Sequence, residues 1–301
     1  MAARIAAVGR VTVSLRRSTR PRGSGTTSHY GRFVPGPTPA PPALLELAEA
    51  VAREAGALLR DGLARDRATV DTKSTRTDMV TEMDRAAEAL IVQRLLAARP
   101  DDGILGEEGT DRPGTSGVRW VVDPLDGTTN YLYALPGFAV SIAAEVQGAV
   151  VAGVVYDVVH DELFAATRGG GATRDGAPIA VSGASDLALA LVATGFAYDA
   201  SRRARQAEAL VPVLPRIRDV RRFGAAAVDL CSVACGRVDA YYERGLAAWD
   251  LAAGELIASE AGAVVTDFHG GPAVAGAVVA ATPAIADELR ALLVEAGAHD
   301  A

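Results

Sequence analysis

Lysine is all but missing from this chain: Lys73 is the only one in 301 residues, and every other one of the 30 basic side chains is Arg. A compact ammonium kept in one polar loop, where a planar guanidinium would be bulkier and differently directed, marks Lys73 as a candidate site residue. Cysteine is nearly as scarce. Cys231 and Cys235 lie at helical spacing in an Ala- and Val-rich stretch, which excludes a disulfide framework, suggests small core residues and fits a reducing cytoplasm. The four histidines, His29, His160, His269 and His299, have no metal-ligand spacing, which argues against zinc. No apolar run reaches the roughly 20 residues that cross a bilayer, so no membrane span is expected. Acid is absent from residues 1–45, which hold seven Arg. The overall charge of −7 therefore leaves −14 on residues 46–301. An acidic body argues against sequence-independent nucleic-acid binding but not against a metal site.

Half of the residues are hydrophobic, enough for a large core in one compact unit or two closely packed halves. Residues 1–42, rich in Arg, Ser, Gly and Pro, are predicted to be a disordered extension. Their acid-free character also suggests a transit peptide, but no apolar export core follows Arg16-Arg17, so a low-complexity tail is the preferred reading. Helical spacing of apolar residues predicts helices over 44–63 and about 80–98, joined by a polar loop containing Lys73 and Asp78. Strands follow over 138–146 and 150–159, a hairpin through Gln147-Gly148-Ala149, and then 162–166. Gly169-Gly170-Gly171 lacks a following Lys-Ser/Thr and sits among strands, so it is a β-turn and not a nucleotide loop. Near residues 182–186 the pattern changes to alternating strands and helices. The expected division is an N-terminal α+β half over 43–185 and a C-terminal α/β half over 186–298.

The chain is organised around Trp120 to Thr129. Trp120-Val121-Val122 is expected to end a buried strand, with Pro124 stopping it and Gly127 allowing a tight turn into a helical turn at Thr128-Thr129. Asp123 and Asp126 would then converge at the strand's carboxyl end, where two acids suit one hard cation and the following N–H groups suit a phosphate. Asp-Pro and Asp-Gly are also ordinary turn dipeptides, so the stretch alone leaves both readings open.

Gly106-Glu107-Glu108, then Asp-Pro-Leu-Asp-Gly-Thr-Thr-Asn over 123–130, then Trp-Asp-Leu-Ala-Ala-Gly-Glu over 249–255 together resemble the inositol monophosphatase family of magnesium-dependent phosphatases. The stretch 73–84 resembles the family's mobile loop and following helix. The resemblance covers about residues 43–298 and implies alternating layers of helices and sheets, an αβαβα sandwich of the inositol monophosphatase and fructose bisphosphatase kind. It implies two Mg2+ ions, one held by Glu107, Asp123 and the Leu125 carbonyl, the other by Asp123, Asp126 and Asp250. Glu107 and Thr128 become the water-activating residues, Asp84 the partner of Thr128, and Lys73 a neighbour of phosphate and metals. Asp126 and the N–H groups of Gly127 and Thr128 face the phosphate. Gly224, Ala226, Glu243 and Asp250 bind the organic part of the substrate. Glu108 is not expected to be a ligand.

Ala225 departs from the Ser or Thr common in the family, which puts the hydroxyl contacts there in doubt. Thr129-Asn130-Tyr131 is closer to the inositol phosphatase branch than to branches with Lys after Asp-Gly-Thr. The expected protein is a cytoplasmic, lithium-sensitive homodimer that hydrolyses inositol 1-phosphate, with no membrane or nucleic-acid partner. Histidinol-phosphate or sugar-bisphosphate hydrolysis, and a non-catalytic scaffold for RNA or transcription machinery, are the alternatives.

Overall fold

The protein is described here from a computed structural model, which covers residues 40–63, 70–72, 79–273 and 276–301, with the backbone alone at 70–72 and 79–81. The expected disorder before residue 40, and Lys73 and Asp78, lie outside the described residues. The described residues belong to one compact unit. It opens with α1 (Pro41–Leu63), so the helix begins inside the stretch expected to be disordered. Pro fits the first helical turn, where its missing N–H costs no hydrogen bond. A short antiparallel pair follows, β1 (Val70–Thr72) and β2 (Met79–Thr81), where a polar loop was expected, and leads into α2 (Glu82–Ala98).

The next elements are β3 (Gly103–Gly106), β4 (Asp111–Arg112), β5 (Val118–Asp126), α3 (Thr128–Leu132), β6 (Ala139–Val146), β7 (Ala149–Asp157), β8 (Glu162–Thr167), β9 (Gly171–Arg174) and β10 (Ala177–Pro178). With the exception of α3 they form an eight-stranded sheet in the order β10-β9-β8-β7-β6-β5-β3-β4, antiparallel apart from the β3–β5 pair. Gln147 and Gly148, both at positive φ, make the two-residue turn between β6 and β7, and this turn matches the twist of a hairpin. A second, five-stranded sheet, β12-β11-β13-β15-β14, is built from β11 (Leu191–Thr194), β12 (Asp219–Arg221), β13 (Ala240–Arg244), β14 (Val264–Thr266) and β15 (Ala277–Ala281). Its helices are α4 (Ala200–Val213), α5 (Ala226–Ala234), α6 (Ala248–Glu260) and α7 (Pro283–Glu295).

Three apolar cores hold five layers together, the middle one filling two of the four interfaces. The first lies between α1, α2 and one face of the large sheet, and the last lies between the small sheet and α7 with α4. In the middle core α5 and α6 are sandwiched between the two sheets. All nine residues of α5 are buried, and α6 buries Leu251, Ala252, Ala253, Gly254, Leu256, Ile257 and Ala258. A helix apolar on every side needs cover on every side, and these small residues let two sheets approach it closely. The layers α1/α2, large sheet, α5/α6, small sheet and α4/α7 are the αβαβα sandwich.

β5 is buried along nearly all its length because its alternate residues serve different cores: Val121 faces the middle one, and Trp120, Val122 and Leu125 the first. Pro124 does not stop this strand, contrary to expectation. The pairing with β6 shifts register between Asp123 and Asp126, and at such a bulge no ladder N–H is required of residue 124. The bulge occurs where the two carboxylates emerge.

Candidate active site

At the carboxyl end of β5 a cavity of about 390 Å³ opens between the large sheet, the start of α5, the end of β13 and the start of α6. Glu107, Asp123, Leu125, Asp126 and Asp250 line it together with Gly127, Thr128, Gly224, Ala225, Ala226 and Glu243. Residues separated by more than a hundred positions in the chain thus share one wall.

Backbone donors aim the three aspartates. Asp123 Oδ1 accepts the Leu125 N–H at 3.0 Å, Asp126 Oδ2 the Ala227 N–H at 2.7 Å, and Asp250 Oδ2 the Ala247 N–H at 2.6 Å. The last two bonds lie in the first turns of α5 and α6, where N–H groups have no helical acceptor and favour negative charge. Gly127 has φ 89°, and a Cβ there would also press on the Gly137 carbonyl. Any other residue would therefore move the turn that carries Thr128. The Thr128 hydroxyl is 3.2 Å from Asp84 Oδ2 on α2 and 3.1 Å from the Leu125 carbonyl.

Burial raises Asp123 well above the usual carboxylate range, and the charges of Glu107, Asp126, Asp250 and Asp84 push it the same way. Asp126 is also raised well by burial, then by Asp250, against the opposing Ala227 bond. Asp250 is raised by burial and held back by its Ala247 bond and by a hydrogen bond with Asp123. None of the three aspartates forms an ion pair among the described residues. Clustered acids without a cation, offering only hard oxygens, fit a divalent cation of the Mg2+ or Mn2+ type and not a soft metal. No three acidic, His or Cys side chains among the described residues close around one point by themselves. An open set of this kind suits an ion that keeps part of its water shell.

On the opposite wall Glu243, at the end of β13, accepts a hydrogen bond from the Tyr241 hydroxyl at 2.7 Å. Burial raises its pKa, opposed by that bond and by Arg222. A side chain at Gly195 would overlap the Glu243 carboxylate, so glycine there leaves the space that Glu243 fills. Of the two adjacent arginines, Arg221 pairs with Asp219 at 2.6 Å whereas Arg222 lines the cavity. Glu107 faces the cavity, but Glu108 does not line it and lies 3.6 Å from Arg85.

Sequence reasoning missed several contributors. Tyr241 could have been found from its place two residues before Glu243, on the same strand face. Asn130, within the recognised motif, donates to the carbonyls of Gly137 and Phe223 at 2.7 Å each and ties α3 to the loop before α5. Arg202, Tyr198 and Trp249 also line the cavity, and no local pattern announced Arg202 or Tyr198. Cys231 is buried, Cys235 is half-buried, and both are free thiols. No helix among the described residues is long and apolar enough to cross a membrane.

A five-layer α/β sandwich with an acid-lined cavity at the bulged end of β5 is the fold of a metal-dependent phosphatase class. The chain belongs to the inositol monophosphatase family, whose model matches residues 42–298, and it is a phosphoric monoester hydrolase of that generally metal-dependent family. It is 46% identical over 275 residues to a Mycobacterium bovis protein named inositol-1-monophosphatase, covering 84% of this chain and 94% of that one. It is 42% identical over 252 residues to the Escherichia coli protein named Nus factor SuhB, covering 82% and 94%. Among solved structures, the extragenic suppressor protein suhB from Bartonella henselae superposes with a TM-score of 0.80 at 39% identity, covering 83% of this chain and 98% of that one.

Proposed function

We propose that the protein hydrolyses inositol 1-phosphate to myo-inositol and phosphate with Mg2+ as its metal. The observation that carries this reading is one cavity with two chemistries: an acid cluster suited to hard cations on one wall, and Glu243, a hydrogen-bond acceptor for polyol hydroxyls, on the other. The naming of the 46% identical Mycobacterium bovis relative supports the substrate.

Glu107, Asp123, Asp126, Asp250 and the Leu125 carbonyl would hold the ions. When bound, Mg2+ supplies Lewis acidity and positive charge to the phosphoryl group and to the attacking water. The chain's own residues do the rest. Asp84 fixes the Thr128 hydroxyl, and Thr128 with Glu107 orients the water and takes up its proton. The N–H groups of Gly127 and Thr128 receive phosphate oxygens. Glu243, with Gly224 and Ala226, sets the alcohol in line. The water oxygen bonds to phosphorus, the ester P–O bond breaks, and a proton ends on the released hydroxyl, with no phosphoenzyme. The same reading takes the protein as a cytoplasmic homodimer inhibited by lithium, with Lys73 close to the phosphate.

The test is phosphate release in Mg2+ from inositol 1-phosphate, histidinol phosphate, fructose 1,6-bisphosphate and adenosine 3′,5′-bisphosphate. The highest kcat/KM is expected for inositol 1-phosphate, and a higher value for another substrate would move the assignment to it. A second reading, a scaffold for transcription machinery, is favoured by the name of the Escherichia coli relative. Salt-dependent RNA binding by a protein that releases no phosphate would support it.

A further inference from the structure

Glu107 enters the cavity from the turn between β3 and β4, and an acid on α2 holds that turn. Glu88 is only 5% exposed. Its Oε2 accepts the Glu108 N–H at 2.7 Å, and its Oε1 accepts the Thr110 N–H at 3.1 Å and the Thr110 hydroxyl at 2.6 Å. Gly106, just before Glu107, gives the carboxylate its space, since a Cβ there would collide with it. The Gly106 N–H closes the turn on the Thr110 carbonyl at 2.7 Å, and the Glu107 N–H reaches the Val122 carbonyl at 3.2 Å, one residue before Asp123. Glu107 is therefore pinned on both sides, and Glu88 supplies the acceptors for the side that β5 does not reach.

Glu88 has no basic partner among the described residues. A buried carboxylate held only by neutral donors is an expensive way to pack a helix on a sheet, where an apolar side chain of similar size would serve. Its position accounts for it. Asp84 and Glu88 are four residues apart on α2, on one buried face. Asp84 reaches the Thr128 hydroxyl and Glu88 the turn that carries Glu107, so one rigid helix addresses both groups that act on the attacking water.

We propose that Glu88 is a positioning residue of the reaction, fixing Glu107 relative to Thr128 through α2. The inference rests on the role given to Glu107 under the proposed function. Glu88→Gln keeps the size but turns an amide N–H2 toward at least one of the turn's N–H donors. Groups that orient metal ligands in this way typically carry about 10- to 100-fold in metal affinity or activity.

The experiment is calorimetric titration of Mg2+ into metal-free full-length protein, with kcat and KM for inositol 1-phosphate and thermal melts measured in parallel. Glu88→Gln is expected to melt cooperatively, to bind Mg2+ about tenfold more weakly and to lose about tenfold in kcat while KM moves less than about threefold. A purely structural role would lower the melting temperature and leave the Mg2+ affinity alone. Mg2+ affinity and kcat within twofold of wild type would overturn the proposal. Should Glu88→Gln fail to melt cooperatively, Thr110→Val decides, since it removes one of the three donors and spares the carboxylate: about threefold weaker Mg2+ binding supports the proposal, and unchanged binding overturns it. Absence of Mg2+-dependent phosphate release in the wild type would refute the proposed function instead, an outcome separate from any difference between variants.

Discussion

Tyr241→Phe removes a single oxygen, and its cost should depend on pH. Among the described residues Tyr241 is the only hydrogen-bond donor to the Glu243 carboxylate. Tyr241 itself is fully buried, so water does not readily replace the lost hydroxyl. A hydrogen bond to a charged group is worth about 1.5–3 kcal/mol, and one between neutral groups about 0.5–1.5 kcal/mol. At about 2–4 °C per kcal/mol for a protein of this size, the charged bond corresponds to a loss of about 3–12 °C in melting temperature.

Burial raises the Glu243 pKa in the folded state. A carboxyl group with a raised folded pKa contributes stability that is fully present below its unfolded pKa and is lost as pH rises through the folded pKa. Removing the tyrosine hydroxyl, which opposes the rise, widens that window upward. Urea melts at pH 5 and pH 8 should therefore show the larger loss at pH 8, where more of Glu243 is ionised than at pH 5, and the acid limb of kcat/KM should move to higher pH. A loss equal at the two pH values, or below about 0.5 kcal/mol at both, would refute the argument.

Asp123→Asn should abolish phosphate release in Mg2+ while the metal-free protein melts at or above the wild-type temperature, because an acid raised by burial and by its neighbours' charges has been neutralised; near-normal turnover would contradict this. Glu243→Gln should raise KM for inositol 1-phosphate several-fold more than for an aryl phosphate without hydroxyls, as steady-state kinetics on both would show. Labelling with a limiting amine reagent has one side-chain target, Lys73. Mg2+ plus inorganic phosphate should protect it, and activity should fall in step with its modification as mapped by mass spectrometry.

The acids were legible in part from local spacing, since Asp123 and Asp126 sit around one turn, whereas Glu107 and Asp250 entered through the family resemblance. Long strands and helices were legible from apolar periodicity, with α1 ending at the expected residue and β6 beginning one residue late. Short elements such as β4 and β10 were not, since two residues carry no period. Pro124 misled because the local rule for proline assumes a regular ladder, and the bulge in β5 is set by pairing with β6 far along the chain. Glu88 and Tyr241 escaped notice for a similar reason. A Glu inside a helix and a Tyr inside a strand are ordinary until tertiary packing gives one a turn to hold and the other a carboxylate.

The Asp126–Ala227 hydrogen bond spans 101 residues and joins the edge of one layer to the helix that separates it from the next. Like charges contributed by separate layers push those layers apart, and a divalent ion among them draws them together. Under the proposed metal binding such an ion would be a clasp on the whole sandwich, and the breathing of the two sheets against α5 and α6 would become a readout of metal occupancy. At a free metal concentration of about 100 times Kd, linkage adds about 2.7 kcal/mol to the closed form. The slowest amide protons in the last turn of α6, well beyond Asp250 in its first turn, should then exchange about a hundredfold more slowly.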